Sequence, residues 1–257
     1  MKRIGVLLAA LTAAALGAVS LDAQEAASVP GVVAPTPASD SVAPLDRLDG
    51  SLLRAGAATY GLSLVRDVGP TALGTRTVEV SESSLGGAPV WLFVERRTGT
   101  AVPTLDSLWL ARGDLAPVRW VASVDRTQLA ASFARDSIFG AVQSYAGRFS
   151  FGAGVLPGVL VTPAMTEKIV ELLPLRPGYR AGASLLLVDM GAPRALPAEL
   201  SVEREERIRT ATGEADCWVV LLRAGAMEER LWVEKSRRNV VRTEQGTAVG
   251  RVVAELL

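Results

Sequence analysis

The sequence contains no histidine and a single cysteine, Cys217. Histidine is the most frequent general base near neutral pH and the most frequent metal ligand. Its absence excludes a Ser-His or Cys-His nucleophile, and a metal site would need carboxylates alone. One cysteine excludes every disulfide within the chain, and without a histidine to activate it Cys217 is expected to be a buried structural thiol. We therefore expect no enzymatic activity, no cofactor and no metal.

The chain also lacks a net charge, because 27 Lys and Arg residues balance 27 Asp and Glu residues. The chain has no net field to attract nucleic acid or an anionic membrane surface, so nucleic-acid binding is not expected. Aromatic residues make up 5% of the chain, and five of them are tryptophans. The position of these five large side chains is a central question for the fold.

The N-terminus has the three-part layout of a secretory signal peptide. Met1, Lys2 and Arg3 make a basic start, residues 4–19 form an uncharged run rich in Ala and Leu, and Ala23 is a small residue suited to cleavage. The run is shorter than the roughly 20 apolar residues that span a bilayer, and no lipobox cysteine follows it. We expect residues 1–23 to be a cleaved signal peptide, no transmembrane segment after cleavage, and a periplasmic or secreted protein.

Residues 24–50 contain four prolines among Ala, Ser, Val and Asp, without a strand or helix period. This composition predicts a flexible linker. Residues 51–257 are predicted to form a single antiparallel β domain, because short alternating runs are separated by glycine-containing turns such as Gly86-Gly87 and Thr98-Gly99. Parallel strands would need crossover helices between them. We expect the protein to be a monomer.

One helix is predicted near residues 163–173, with Thr162 as its cap and Pro174 as its end. Its apolar face would comprise Met165, Ile169, Leu172 and Leu173, with Glu167, Lys168 and Glu171 elsewhere. A helix this short needs tertiary packing to be stable. It would pack on the sheet or, alternatively, form a mobile lid over a cavity.

Two hairpins share a phrase of identical spacing, in which Leu-Trp is followed after eight residues by Val-Arg. The first copy contains Trp109 and Arg119, and the second contains Trp232 and Arg242. Either a hairpin unit was duplicated, or any tryptophan-bearing hairpin of standard length would look alike. Both interpretations remain open at this point.

Several predicted strands are apolar on both faces, such as residues 185–188 and 217–222. One short helix cannot cover the many such faces of a large sheet, so the sheet must curl and enclose an interior. The fold class is therefore mainly β: a curved antiparallel sheet that forms an incomplete barrel with one short helix packed on or in it. The aromatic and helix residues would either fill this core or line a ligand cavity. The candidate ligand-binding residues are Trp91, Phe93, Trp109, Trp120, Trp218, Trp232, Met165 and Ile169.

Three short phrases carry a resemblance to a known family. They comprise Pro174, Leu175, Pro177, Gly178 and Tyr179, then Leu231-Trp232-Val233, then Val240-Val241-Arg242. With these phrases, residues 59–257 resemble an exported bacterial domain family of unknown function, DUF3108, which is similar in turn to the half-barrel group of outer-membrane lipoprotein carriers. The resemblance implies an incomplete barrel wrapped around a helix, which handles an acyl chain or another apolar ligand in the periplasm. It implies no catalytic residue, and the missing lipobox cysteine disfavours the outer-membrane receptor branch.

The first functional hypothesis is a non-catalytic periplasmic protein that binds or carries a hydrophobic ligand, a lipid or an acyl chain, in an apolar barrel interior. The alternative is a structural or interaction protein of the cell envelope that docks a protein partner through a sheet edge or the linker. A hydrolase that relies on two facing carboxylates is a third class, but no pair of acidic residues in the sequence clearly meets that requirement.

Overall fold

The computed structural model describes residues 42–45, 48–134, 137–154, 160–161, 165–189, 192–211 and 213–257. The predicted signal peptide and most of the predicted linker lie outside the described residues. The strands are β1 (Gly56–Arg66), β2 (Gly69–Leu85), β3 (Ala88–Thr98), β4 (Thr104–Ala111), β5 (Pro117–Val124), β6 (Thr127–Ala134), β7 (Ser137–Ser144), β8 (Gly147–Gly154), β9 (Leu160–Val161), β10 (Arg180–Asp189), β11 (Ala192–Thr210), β12 (Gly213–Ala224), β13 (Met227–Glu234), β14 (Val240–Thr247) and β15 (Gly250–Leu256). Helix α1 covers Thr166–Leu172, and a short 3-10 helix covers Gly50–Leu52.

All fifteen strands belong to one sheet, in the order β8-β7-β6-β5-β4-β3-β2-β1-β15-β14-β13-β12-β11-β10-β9. Consecutive strands pair antiparallel from β1 to β8 and from β10 to β15, β15 pairs antiparallel with β1, and the two-residue β9 is parallel to β10. The sheet therefore has β8 at one edge and β9 at the other. The prediction of a mainly antiparallel, incompletely closed sheet with a short helix is confirmed.

The sheet curls around one shared interior. A continuous apolar core includes residues from β2 to β7 on one side and from β10 to β14 on the other, such as Phe93, Leu108, Leu200 and Val220. Strand β8 comes within 8 Å of β11 between Cα atoms. The alternation of side chains along each strand sends one set into this core and the other set outward.

Helix α1 lies in the interior, where Met165, Ile169 and Val170 are fully buried. It begins at Thr166 and ends at Leu172, so it is shorter than the predicted span of 163–173, and residues 162–164 lie outside the described residues. The prediction that Glu167 lies away from the buried face is wrong, because Glu167 is only 3% exposed. A helix enclosed by a curled sheet has no solvent face on which to place every charge.

Part of the predicted linker packs against the sheet. Pro44 forms an isolated parallel β-bridge with Gly182, and the Leu45 amide donates a hydrogen bond to the Gly182 carbonyl at 2.6 Å. Leu45 and Leu48 are buried in the core, and Asp49 caps the 3-10 helix. The packed part of the chain therefore includes residues ahead of position 51, where the composition of the sequence placed the domain boundary.

The two tryptophan hairpins have the same backbone pairing. In β4–β5, Trp109 pairs with Arg119 and a β-bulge follows immediately; in β13–β14, Trp232 pairs with Arg242 and a β-bulge again follows. In each hairpin the guanidinium lies over the tryptophan ring, at 5.4 Å and 5.1 Å from its centroid. The shared spacing therefore marks a shared structure.

The turns of these two hairpins also correspond. Leu115 and Arg238 occupy equivalent positions with left-handed φ values of 57° and 59°, which is uncommon for residues other than glycine. Equivalent amides close both turns: Ala111 N donates to Ala116 O at 2.8 Å, and Glu234 N donates to Asn239 O at 2.9 Å. The turn of the β4–β5 hairpin and the turn of the β13–β14 hairpin therefore have the same backbone conformation.

The correspondence extends to six strands. Glu82 pairs with Trp91 in β2–β3 as Glu205 pairs with Trp218 in β11–β12. A basic side chain covers each tryptophan, Arg112 at 5.3 Å and Lys235 at 4.0 Å from the ring centroid, and each also pairs with the corresponding glutamate. We call β1–β6 the first repeat and β10–β15 the second repeat. Strands β7 to β9 and helix α1 lie between them along the chain.

Candidate binding site

The structure brings five of the eight predicted ligand-binding residues into the main core: Trp91, Phe93, Trp120, Met165 and Ile169. The indole nitrogens of the two tryptophans are satisfied, since Trp91 donates to the Gly50 carbonyl at 3.1 Å and Trp120 donates to Asp106 Oδ1 at 3.2 Å. These side chains fill the interior, where they stabilise the curled sheet.

The other three tryptophans are placed differently. Trp218 is half-buried against the main core, whereas Trp232 belongs to a separate apolar cluster that also contains Cys217 and Val219. Trp109 lies on the outer face, because its neighbours Leu108 and Leu110 point inward. The eight residues are thus divided between the two faces of the sheet, and their role in ligand binding stays a prediction. Burial raises the pKa of the Cys217 thiol to about 11, which makes it a poor nucleophile.

A cavity of about 80 Å³ opens beside α1, between the two repeats. Half of its lining is polar and half is apolar. The polar residues are Arg76, Arg97, Thr100, Thr104, Thr166, Glu229, Thr243 and Gln245. The apolar residues are Leu62, Leu73, Val102, Leu185, Leu222, Met227, Val252 and Ala254. None of the eight predicted residues is part of this lining, although Trp91 lines a second, more open depression of about 680 Å³ near Arg112.

A buried charge cluster lies against this cavity. Arg76 on β2 forms an ion pair with Glu167 on α1, and its Nη1 lies 4.0 Å from Glu95 Oε2 on β3. Arg97 Nε donates to Glu95 Oε1 at 2.8 Å. The cluster therefore links the helix to two neighbouring strands of the first repeat.

Sequence reasoning missed this cluster, although a signal for it exists. Arg76 is in phase with Val78 and Val80, and Glu95 is in phase with Trp91 and Phe93, so both charges occupy inward positions. A charge in register with buried apolar residues needs a buried partner. The partner Glu167 lies 91 positions away in the sequence, and strand periodicity alone does not identify it.

Opposing effects set the pKa values in the cluster. Burial disfavours the charge on Arg76, but the carboxylates of Glu167 and Glu95 outweigh burial and raise the pKa of Arg76. Burial also opposes the charge on Glu95, yet Arg97 and Arg76 lower the pKa of Glu95. Burial raises the pKa of Glu167 despite its contact with Arg76. The ionised guanidinium groups are therefore balanced mainly by the adjacent carboxylates of the first repeat and α1.

Glu229 on β13 differs from these acids. Within the described part of the chain, its carboxylate makes no hydrogen bond or ion pair, and it faces the cavity beside its cross-strand neighbour Gln245. Burial, assisted by Glu167 and Glu95, raises the pKa of Glu229 to about 7. At the corresponding position of the first repeat, burial raises the pKa of Asp106 to about 6, although Trp120 donates a hydrogen bond to it.

The rest of the described chain contributes two further observations. No group of three or more acidic or cysteine side chains among the described residues is arranged to hold a metal ion. Within the same residues, no helix has the length and apolar character needed to cross a membrane.

The model of the DUF3108 family, proteins of unknown function, matches residues 58–257. The chain belongs to the DUF3108 family. This confirms the resemblance that the phrases at residues 174–179, 231–233 and 240–242 indicated. No curated protein matches this DUF3108 chain.

Two solved structures are similar to this DUF3108 chain. One is a beta-barrel-like protein of domain of unknown function DUF1849 from Brucella abortus, with 12% sequence identity, a TM-score of 0.48, and coverage of 84% of this chain and 98% of that chain. The other is the hypothetical lipoprotein YmcC from Escherichia coli, with 12% identity, a TM-score of 0.31, and coverage of 81% of this chain and 86% of that chain.

Proposed function

We propose that the protein is a non-catalytic, exported binding protein of the cell envelope, which takes a ligand with an apolar part into the interior of its curled sheet. The observation that carries this proposal is the cavity beside α1, whose lining combines eight apolar side chains with eight polar ones. Apolar walls together with convergent polar groups are a feature of small-molecule binding sites. Export is supported by the basic start and the apolar run of residues 4–19.

The size of the cavity limits what the described conformation can hold. At about 80 Å³, it is roughly half the size of an apolar cavity of about 150 Å³ that holds benzene. It therefore has room for a head group or the end of a chain. A longer apolar chain requires the interior side chains to move, because Ile169 of α1 and Met165, at the N-terminal end of the helix, occupy the adjoining core.

Filling the cavity tests this function. Leu222→Trp replaces a buried lining residue on β12 with a larger side chain. We expect the apparent Kd for an environment-sensitive apolar dye, measured by fluorescence titration, to rise at least tenfold. Leu105→Trp is the matched control, because Leu105 is 40% exposed and lies outside the cavity lining. Equal dye binding by the parent protein and the Leu222 variant, with unchanged thermal melting, would exclude the interior as the binding site.

A second candidate function is docking of an envelope protein at the β8 edge. In the described sheet no strand pairs with the outer edge of β8, and exposed aromatic residues lie on β8 and beside it: Phe149 on β8, Phe139 on β7 and Tyr145 on the turn between them. Unpaired sheet edges accept added strands. A photo-crosslinker at position 149 should then form a discrete adduct in cells, whereas one at the exposed Val249, on the turn between β14 and β15, should not. Equal labelling at both positions would contradict docking at this edge.

A further inference from the structure

We propose that the cavity selects a ligand whose head group is a primary ammonium, held by Glu229, Thr243 and Gln245. This inference rests on the proposed binding function and names its ligand class: an amphipathic primary amine. The three residues lie on the adjacent strands β13 and β14, where Glu229 pairs directly with Gln245 and Leu231 pairs with Thr243. All three line the cavity.

The charge balance favours a cation at this position. Arg76 is paired with Glu167 and Glu95, and Arg97 is paired with Glu95. Among the described residues, Glu229 is the cavity-lining carboxylate without a paired cation. A charge in a low-dielectric site is stabilised by an opposite charge at contact distance. A bound ammonium supplies that charge, whereas a bound carboxylate would add a second uncompensated anion.

The neighbouring polar groups match an ammonium as well. Thr243 is 5% exposed, lines the cavity, and makes no side-chain hydrogen bond within the described part of the chain. Its hydroxyl oxygen and the Gln245 carbonyl oxygen are acceptors beside the Glu229 carboxylate. An ammonium has three donors and no acceptor, so three acceptors on two adjacent strands are a complementary set.

The apolar lining accommodates the carbon atoms next to the head group. Leu62, Leu185, Leu222 and Val252 belong to the same cavity, and burial of each methylene group of the ligand against them favours binding. The site should therefore bind an alkyl amine more tightly than a small free ammonium ion.

The test compares decylamine, decanoate and decanol, each below its aggregation concentration. Binding is measured at pH 8 by isothermal titration calorimetry with the full-length mature protein. We expect decylamine to bind at least tenfold more tightly than decanoate. In Glu229→Gln, decylamine should lose at least tenfold in affinity, whereas decanol binding should change less than twofold.

Two further variants keep the test specific. Glu228→Gln removes a neighbouring carboxylate that is exposed and outside the cavity lining, so decylamine binding should not change. Thr243→Val removes one acceptor with little change in volume and should lower decylamine affinity severalfold. Thermal melting of every variant identifies a loss of binding that results from unfolding.

The outcomes separate the two proposals. Decanoate binding as tight as decylamine binding, or an unchanged decylamine affinity in a folded Glu229→Gln protein, would overturn the ammonium assignment and leave the binding function standing. Absence of measurable binding for all three compounds would overturn the proposed binding function itself, and the ammonium assignment with it.

Discussion

The two repeats have the same strand pairing but different chemistry on their inner faces. Four positions of the first repeat hold Tyr60, Arg76, Glu95 and Arg97, and the paired strands of the second repeat place Ala183, Ala198, Leu222 and Ala224 at the corresponding positions. On the outer face of the sheet the two repeats are alike, since each has a cross-strand tryptophan-arginine pair followed by a β-bulge. The backbone pairing therefore does not determine which side chains lie in the interior. Within the described part of the chain, the strands that contribute to the charged cluster belong to the first repeat.

This difference has a structural role as well as a chemical one. Arg76 on β2 forms ion pairs with Glu95 on β3 and with Glu167 on α1. The first repeat therefore contacts the helix through an ion pair. The second repeat holds the other end of α1 through hydrogen bonds from Arg238 to the Leu173 carbonyl and from the Val240 amide to Glu171. The helix is thus fixed by both repeats, and among the residues that the structure describes its buried ion pair to the sheet is with the first repeat.

The largest expected effect comes from breaking that ion pair. Arg76→Ala should lower the free energy of unfolding by about 3–5 kcal/mol, because it leaves Glu167 buried without a cation. Urea denaturation measures the change. Arg76→Met combined with Glu167→Leu should recover part of the loss, since it removes both charges together. A cost below about 1 kcal/mol for Arg76→Ala would mean that water reaches the Glu167 carboxylate.

The two tryptophan hairpins allow a matched comparison. Trp232→Ala should destabilise the protein by about 3 kcal/mol or more, because Trp232 is 3% exposed within an apolar cluster. Trp109→Ala should cost roughly 1 kcal/mol, since Trp109 is half-buried on the outer face. Thermal and urea unfolding of both variants gives the two values. Equal losses would show that the two hairpins contribute alike despite their different burial.

The pH dependence of stability should reveal the raised pKa of Glu229 in the second repeat. The folded pKa of Glu229 is raised to about 7 from an ordinary value of 4.5, so the folded state binds its proton more tightly than the unfolded state does. This group therefore favours folding at low pH, and its contribution is lost as the pH rises from about 4.5 through 7. The groups that face it are Arg76, Glu95, Arg97 and Glu167.

The corresponding measurement is urea unfolding at several pH values between 5 and 8. The stability of Glu229→Gln should fall less steeply across this range than that of the parent protein. A parallel pH dependence of the two proteins would show that Glu229 has an ordinary pKa in the folded state.

The smallest effect is expected at the exposed ion pairs. Arg223→Ala removes the pair with Glu228 on the outer face, where both side chains are about half exposed. The free energy of unfolding should change by less than about 1 kcal/mol, because solvent and salt screen such pairs. A loss as large as that of Arg76→Ala would contradict the distinction between inner and outer charges.

The sequence predicts the strands and the hairpin correspondence well, because a strand has period 2 and a turn of fixed length conserves the spacing from Trp109 to Arg119 and from Trp232 to Arg242. It also predicts the buried side of α1 at Met165 and Ile169. It is harder to predict on which face of the sheet each tryptophan lies. For Trp109, one has to know first that its neighbour Leu108 points inward.

The charged site depends on distant parts of the chain and could not be derived from local patterns. In the sequence, Glu167 resembles a solvent-exposed helix residue. Only the folded structure shows that Arg76 on β2 lies next to it. Glu229 likewise reads as one of several acids in β13, and its lack of a partner follows only from the folded arrangement of β3, β13 and α1. Contacts of this kind join positions that share no periodic signal.

The pairing of β1 with β15 has a kinetic consequence. Most neighbouring strands are joined by short turns and can zip together locally, but Tyr60 meets Leu256 only after almost the whole domain has been brought together. The entropic cost of closing a loop rises with the length of the loop, and long-range strand pairing therefore slows folding. We expect the six-strand units to form early and the seam between them to be the slow step. Until that step is complete, the edges of β1 and β15 remain open to exchange strands with another copy of the chain.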